Sequence, residues 1–273
     1  MPELSPVFIN PKDAQEMILV PAGQAVFGDA ADDSQDRKSS QFQAHLPDYY
    51  LGKHPVRNWQ YAQFLDDAHP ASSDLEKWIA FDAGCHVVRT DDGYRVRGEE
   101  DRPPAQVAEL EQGWANHPMV YVSWYGAVAY CEWTGLRLPT ELEWEKAARG
   151  VDGRAFPWGN EWDDSKCHTG ARSAEERTCV VWDARYEAGR SAWGHCQMVG
   201  NVWEYCADWY EEDAYSRYAR GDCKPPASGM ARVLRGGSWC DGGMRSFRCA
   251  CRSHGYPEGR YASTGFRCAR DAP

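Results

Sequence analysis

The sequence predicts a loop-rich α+β fold with few regular strands and two main helices, arranged as one large domain. Composition is the first observation behind this prediction. Of the 273 residues, 13 are Trp and 14 are Tyr, whereas long runs of Leu or β-branched residues are scarce. Aromatic side chains each bury a large area, so a core built from them needs few regular elements. A chain of this length fits one large domain or two small ones, and no linker-like segment divides it.

The N-terminal elements are predicted to be short strands. Residues 1–15 show no periodic pattern, so we expect a loose leader followed by a single domain over residues 16–273. Apolar stretches at 17–20 and 26–28, joined by a Pro-Ala-Gly turn, predict two strands. Residues 49–53 predict a third strand on the same pattern.

One helix and one hairpin follow these strands. Apolar residues at helical spacing predict a helix over 59–67, and Asn58 stands where a capping residue is expected. Further along, Asp91-Asp92-Gly93 predicts a tight turn between short strands at 87–88 and 94–96.

The two main helices have clear boundary residues. Ser123 can cap a helix over 124–133, and Gly135 ends it, because glycine tolerates the left-handed conformation common at a helix C-terminus. Thr140 and Glu143 have the spacing of a capping box at the start of a second helix. Both helices are therefore predicted from residues close to their own ends.

Charge and cysteine usage exclude several classes of protein. The net charge of -11 argues against a nucleic-acid-binding surface, which needs a basic face. No basic and apolar leader marks a signal peptide, and no stretch approaches the roughly 18 apolar residues of a membrane span. The 11 cysteines are odd in number and scattered, which favours free thiols in a reducing cytosol. We expect a cytoplasmic monomer, with an exported form that has lost its leader as the alternative.

The last forty residues contain the most informative pattern. Glycines, arginines and aromatic residues form what looks like a fixed frame, and the residues between them are small or aromatic without periodicity. Such an arrangement favours a surface for contact over a site for chemistry. The frame consists of Gly236-Gly237-Ser238-Trp239, Phe247-Arg248, Arg252, Arg260 and Gly265-Phe266-Arg267.

Four segments in order resemble one family. They are ILVPAGQAVFG at 18–28, LRLPTELEWEKAARG at 136–150, VGNVWE at 199–204 and RGGSW at 235–239. Together they resemble the formylglycine-generating enzyme, or sulfatase-modifying factor, domain, and the resemblance covers nearly all of the chain after residue 16. It implies a C-type-lectin-like fold, which agrees with the aromatic composition and the weak periodicity.

The resemblance also implies a specific chemistry and a departure from it. Active members of the family bind copper through two cysteines after the GGS segment and oxidise a substrate cysteine. Two soft thiolates must converge to select Cu(I). Here Cys240 lies near the first position, Met244 stands at the second, and Cys249 and Cys251 do not match the pair. We therefore expect no copper and no enzymatic activity, with a formylglycine-generating-enzyme-like oxidase or modifying enzyme of altered active site as the alternative.

A second resemblance explains the pattern of the C-terminal frame. The segment at about 236–268 is similar to the C-terminal segment of the ligand-binding variable proteins of diversity-generating retroelements. In those proteins a reverse transcriptase rewrites the codons of this segment by errors at template adenines. Mutated AAC or AAT codons cannot yield Trp, Met, Lys, Gln or Glu, and the proposed variable positions obey this limit; Trp239 is added as a fixed aromatic contact. An ordinary non-catalytic or regulatory family member is the alternative. The predicted ligand-binding residues are Trp239, Cys240, Asp241, Gly242, Gly243, Cys251, Ser253, His254, Gly255, Tyr256, Gly259, Tyr261, Ala262 and Ser263.

The expected partner is a protein or another macromolecule, and calcium is the expected cofactor. The family resemblance implies a calcium site formed by the Gln197 side chain, the Gly200 and Val202 carbonyls, and Glu204. Hard oxygen donors of this kind suit calcium. The alternative is that Asn201 and Glu204 only form hydrogen bonds with their surroundings.

Overall fold

The computed structural model describes most of the chain and shows an α+β architecture with many short strands. The described residues are 4–29, 40–82, 84–102, 106–107, 113–170 and 178–273. In this part of the chain the helices are α1 (Asn58–Ala68), α2 (Ser72–Trp78), α3 (Trp124–Thr134), α4 (Glu141–Arg149) and α5 (Ala214–Tyr218). The strands are β1 (Val7–Ile9), β2 (Glu16–Val20), β3 (Gly23–Phe27), β4 (Phe42–Leu46), β5 (Tyr49–Gly52), β6 (Val87–Thr90), β7 (Gly93–Val96), β8 (Trp203–Trp209), β9 (Arg232–Arg235), β10 (Arg252–Gly255), β11 (Thr264–Gly265) and β12 (Ala269–Asp271).

Two four-stranded sheets organise the molecule. The first sheet is antiparallel and has the order β1-β2-β5-β12. Its two outer strands, β1 and β12, come from the N-terminal and C-terminal parts of the chain. The second has the order β10-β9-β8-β11, and its last pair is parallel. β3 with β4 and β6 with β7 form separate hairpins. Arg252 and Gly265 of the C-terminal frame lie in strands of the second sheet, and the other frame residues lie on the segments between and after these strands. This sheet therefore positions the candidate site.

The local predictions for the two main helices are confirmed. Ser123 Oγ accepts a hydrogen bond from the Gly126 backbone N–H at 3.1 Å, and Gly135 ends α3 at φ 71°. At the start of α4, Thr140 Oγ1 accepts from the Glu143 backbone N–H and the Glu143 carboxylate accepts from the Thr140 backbone N–H. The predicted hairpin and the strands before residue 53 are present as well.

Two predictions near the N-terminus are wrong. Within the segment expected to be a loose leader, residues 7–9 form β1, which pairs with β2 and covers one edge of that strand. The same segment buries Asp13, whose carboxylate accepts a hydrogen bond from Tyr130 Oη at 2.5 Å. Asn58 does not cap α1, because it lies within the helix and donates from Nδ2 to the Trp114 carbonyl. The contacts of Asp13 with Tyr130 and of Asn58 with Trp114 join residues that are far apart in the chain, so the nearby sequence does not predict them.

The core is rich in aromatic side chains, as the composition predicted. Tyr61, Phe64, Tyr130 and Phe266 pack with ring centroids 5.2 to 6.3 Å apart, in both stacked and edge-on pairs. None of the eleven cysteines, all of which lie in the described ranges, forms a disulfide. Within the described ranges, no helix is long and apolar enough to cross a membrane.

Candidate functional site

The C-terminal frame is held by buried arginines, beginning with Arg235 at the end of β9. Its guanidinium donates to Glu145 Oε2 at 2.5 Å and to the Cys249 carbonyl at 2.6 Å. Burial acts to raise the pKa of Glu145, but the charges of Arg235 and Arg149 outweigh it, so that pKa lies below its ordinary value. The carboxylate is thus ionised and fixes both α4 and the loop before β10.

Arg252 and Arg267 repeat this arrangement at two other places. Arg252 binds both oxygens of Glu141, at 2.7 and 2.9 Å, and donates to the Glu211 carbonyl at 3.0 Å. Arg267 binds both oxygens of Glu204, at 2.6 and 2.7 Å. Planar guanidinium forks match carboxylates and carbonyls with fixed geometry, so they hold loops rigidly where regular strands are short.

Glu204 has contacts that do not suit a metal ligand. One of its carboxylate oxygens accepts from Trp144 Nε1 at 2.7 Å and from Arg267 Nε at 2.6 Å, and the other accepts from Arg267 Nη2. A calcium ion would have to share this carboxylate with a fixed, buried positive charge. The arrangement therefore fits a structural ion pair and does not fit calcium.

The other residues of the expected calcium site are also engaged. Gln197 Oε1 accepts from Asn201 Nδ2 at 2.5 Å, while Gln197 Nε2 donates to the Val180 carbonyl. The Gly200 carbonyl accepts from the backbone N–H of Val202, which is itself buried. These contacts hold the loop together, and calcium binding stays a prediction that the side-chain contacts do not favour.

The first group of candidate ligand-binding residues follows Ser238. Asp241 accepts hydrogen bonds from the Ser238 backbone N–H at 2.9 Å, from Ser238 Oγ at 2.6 Å and from Trp203 Nε1 at 3.0 Å. Asp241 therefore supports the turn in addition to lying near the surface. Cys240, Gly242 and Gly243 are exposed.

The second group lies beside the first. Trp239 Nε1 donates to the Ala262 carbonyl, and the Ser263 carbonyl accepts from the Trp203 backbone N–H. Tyr261 is 40% exposed and its carbonyl accepts from the Tyr121 backbone N–H. Residues 239–243 and 261–263 are thus brought together next to β11, and their backbones are tied to neighbouring loops.

The third group lies on β10, at the opposite edge of the same sheet. His254 is exposed, with its ring 4.5 Å from that of Tyr210, and Tyr256 is 61% exposed. Three strand spacings, or roughly 14 Å, separate β10 from β11. The predicted residues therefore form two patches, a β11 patch (239–243 and 261–263) and a β10 patch (253–256).

Three predicted residues do not present a side chain on either patch. Gly255 is buried, and a Cβ placed there would meet Leu234 and Tyr205. Cys251 and Gly259 are half-buried on the connecting loops. Tyr205 Oη donates to the carbonyls of Tyr256 and Gly259, so the loop between the patches is anchored to β8.

The cysteines near the frame do not form a thiol pair of the family type. Cys240 is exposed, and its Sγ lies 3.1 Å from Ser238 Oγ. Cys249 is fully buried with Phe247 and Trp144, and burial raises the pKa of its thiol to about 12. Among the described residues, no group of three or more His, Cys, Asp or Glu is placed to hold a metal. The residues present do not fit copper held by two thiolates, and the expectation of no copper stays a prediction.

Sequence reasoning missed two features of this region. Tyr210, which contacts His254, follows β8 and carries no local signal of that contact. Met244 is 47% exposed on the turn before Phe247, in the gap between the predicted groups. Its exposure could have been anticipated, because it lies between glycines and an arginine in a segment without periodicity.

Comparison with known proteins places this architecture in a family. The sulfatase-modifying factor enzyme 1-like domain matches residues 5–272. The formylglycine-generating enzyme of Streptomyces coelicolor is 31% identical, over 96% of this chain and 91% of its own length. The serine/threonine-protein kinase Pkn1 of Chlamydia trachomatis is 35% identical over 94% of this chain, which spans only 38% of that relative.

Solved structures show the same fold at lower identity. PvdO from Pseudomonas aeruginosa matches with a TM-score of 0.72 and 22% identity, over 99% of this chain and all of that one. Treponema denticola variable protein 1 matches with a TM-score of 0.69 and 20% identity, over 97% of this chain and 98% of that one. The predicted formylglycine-generating-enzyme type of C-type-lectin-like fold is confirmed.

The expectation that this protein is not an enzyme is wrong at the level of its family. That expectation depended on Met244 at the place of the second family cysteine. The Streptomyces relative, matched over nearly its whole length, is named for an enzymatic activity. A changed cysteine pair therefore does not remove the chain from a family of enzymes.

Proposed function

The chain belongs to the sulfatase-modifying factor enzyme 1-like domain family, and within it we propose that this protein is a ligand-binding variable protein. In this proposal a retroelement diversifies the segment at about residues 236–268. The lectin-like scaffold then displays the diversified side chains to a protein or another macromolecular ligand.

The observation that supports the proposal is the separation of buried frame from exposed positions within one segment. Phe247, Phe266 and Arg267 are fully buried, whereas Tyr256 and Tyr261 are 61% and 40% exposed. A frame of this kind fixes the main chain, so exposed side chains can change without disturbing the core. Preorganised loops also reduce the entropy that binding has to overcome.

The exposed residues are suited to macromolecular contact. Tyr256 and Tyr261 offer large amphipathic rings with few rotatable bonds, which is the property that makes tyrosine common in paratopes. His254 adds a polar contact on the β10 patch. We expect these three side chains to contribute most of the binding energy, because a few aromatic anchors usually dominate an interface.

The genetic test is the sequence of the DNA that flanks the 3′ end of the gene. We expect a near-copy of the codons for about residues 236–268, differing only where the copy has adenine, beside a reverse-transcriptase gene. Differences at frame codons such as those of Phe247 or Phe266, or no such copy at all, would contradict the proposal.

A modifying enzyme with an altered active site is the second candidate function. The exposed Cys240 thiol beside the Ser238 hydroxyl favours it, together with the enzymatic names of the relatives. The test is dioxygen consumption with a cysteine-containing peptide, in the presence and absence of added copper. Turnover lost in Cys240→Ala and kept in Cys223→Ala, which removes a half-buried thiol outside the C-terminal segment, would establish the second function.

A further inference from the structure

A cleft outside the C-terminal segment combines aromatic and acidic side chains. It is an open cleft with a volume of about 560 Å³, lined by residues between 158 and 166. Trp158 stacks on Phe156 at 5.5 Å and nearly parallel, and Trp162 stacks on Phe247 at 5.4 Å. Each indole therefore packs on a phenylalanine ring on one side, and both indoles remain partly exposed.

The position of each indole is fixed by further contacts. Trp158 Nε1 donates to the Glu161 carbonyl at 3.0 Å, and the two indole rings lie 6.1 Å apart at an angle of 43°. The faces of the indoles therefore form a rigid, angled wall. A rigid wall loses little entropy when a ligand settles on it.

Negative charge surrounds this aromatic wall. Among the described residues that line the cleft, Glu161, Asp163 and Asp164 are acidic and Lys166 is the single cation. Hydrogen bonds from Ser165 lower the pKa of Asp163, so its carboxylate is ionised at neutral pH. The cleft as a whole is acidic as well as aromatic.

Lys166 shows how a cation interacts with this wall. Its Nζ lies 5.9 Å from the Trp158 ring centroid and 3.7 Å from an Asp163 oxygen. Both distances are at the outer limit for cation–π and ion-pair contacts. Lys166 therefore interacts only weakly at the edge of the cleft, and the indole faces remain accessible to a second cation.

We propose that this cleft binds an arginine-bearing segment of a protein partner. A planar guanidinium can stack on an indole face while its N–H groups donate to carboxylates, which an ammonium does less well. The charge of the rim favours this occupant over a neutral saccharide, which would use the rings but not the carboxylates. The proposal goes beyond the proposed function and does not depend on it, because residues 158–166 lie outside the diversified segment.

The test is calorimetric titration of the full chain with the peptide acetyl-Gly-Arg-Arg-Gly-amide. We expect weak, salt-sensitive binding that is lost when both arginines are replaced by citrulline, which keeps the shape and removes the charge. The double variant Glu161→Gln/Asp164→Asn should weaken binding about threefold to tenfold, because exposed ion pairs contribute modestly.

The control variant is Glu132→Gln, which removes one exposed carboxylate on α3 and should leave the affinity unchanged. Trp158→Phe keeps a ring on Phe156 but weakens the cation–π contact, so its affinity should fall while its melting temperature stays close to that of the parent. Binding that tolerates citrulline, equal weakening by Glu132→Gln, or heat from a neutral oligosaccharide instead would overturn the proposal. A missing template copy beside the gene would leave it standing.

Discussion

Arg235, Arg252 and Arg267 belong to the same forty residues as His254, Tyr256 and Tyr261, yet their surroundings are opposite. The arginine side chains are almost fully buried and bind carboxylates at 2.5 to 2.7 Å. The second set is exposed on the two patches. The buried arginines therefore stabilise the segment, and the exposed residues are available for recognition. Replacing one of the arginines alone would leave a buried carboxylate without its partner.

The largest expected effect comes from breaking the Arg267–Glu204 pair. Arg267→Met should lower the free energy of unfolding by about 3–5 kcal/mol, because Glu204 would remain buried without its partner. Urea unfolding measures this effect. The control is Arg260→Met, which alters an exposed arginine of the same frame and should cost less than about 1 kcal/mol.

Adding Glu204→Gln to Arg267→Met sharpens the test. If the unpaired charge is the cause, the double variant should regain part of the lost stability. No recovery would show that packing around the guanidinium is what matters instead.

A second comparison concerns Asp208, a buried carboxylate that has no arginine partner of this kind. Burial and the charge of Glu141 raise its pKa to about 7, although its side chain accepts from the Glu141 backbone N–H. The folded state therefore holds a proton that the unfolded state releases above about pH 4. Stability from this group should fall as pH rises from about 4 to about 7 and level off above that.

The measurement is the free energy of unfolding from pH 4 to pH 8 for the parent and for Asp208→Asn. The variant cannot ionise and should lack this component, on the order of a few kcal/mol over the window. Asp222→Asn, at an exposed position, serves as control. Parallel curves for the parent and Asp208→Asn would contradict the prediction.

A smaller effect on stability is expected when substitution of Gly237, in the frame, is compared with substitution of Gly242, in the β11 patch. Gly237 has φ +71°, and a Cβ there would lie 2.8 Å from Phe247 Cδ1 and from the Ser246 carbonyl. Gly237→Ala should destabilise by about 1–3 kcal/mol. For Gly242, an added Cβ would meet no described atom within 4 Å, so Gly242→Ala should change stability by less than about 0.5 kcal/mol. Thermal melting of both variants decides the matter, and equal losses would show that the frame extends into the patch.

The exposed tyrosine of the β10 patch should behave in the opposite way. Tyr256→Ala should change the free energy of unfolding by less than about 0.5 kcal/mol, since the side chain is 61% exposed. Once a ligand is identified, the same variant should cost about 2 kcal/mol of binding energy, measured by calorimetry. A loss of stability without a loss of affinity would refute the division between frame and surface.

The smallest expected effect concerns calcium. Because Arg267 occupies the carboxylate of Glu204, adding a chelator should leave the melting temperature unchanged. A drop that calcium alone restores would show that the carboxylate exchanges its arginine for the ion, as the resemblance implied.

The sequence by itself determined both ends of α3, the start of α4, the hairpin of β6 and β7, the aromatic core and the frame residues. These features depend on contacts within a few residues, such as Ser123 with Gly126, or on composition. Capping and turn formation act through the backbone nearby, so a short stretch of chain contains the whole signal.

Only the tertiary structure decided where the frame arginines find their partners and which exposed residues share a patch. Arg252 binds Glu141 across 111 residues, and β1 pairs with β2 although its own segment shows no strand pattern. The order β10-β9-β8-β11 places residues that are close in sequence on opposite edges of one sheet. Such pairings depend on the whole arrangement of strands, because a buried charge is stable only where a distant carboxylate is brought to meet it.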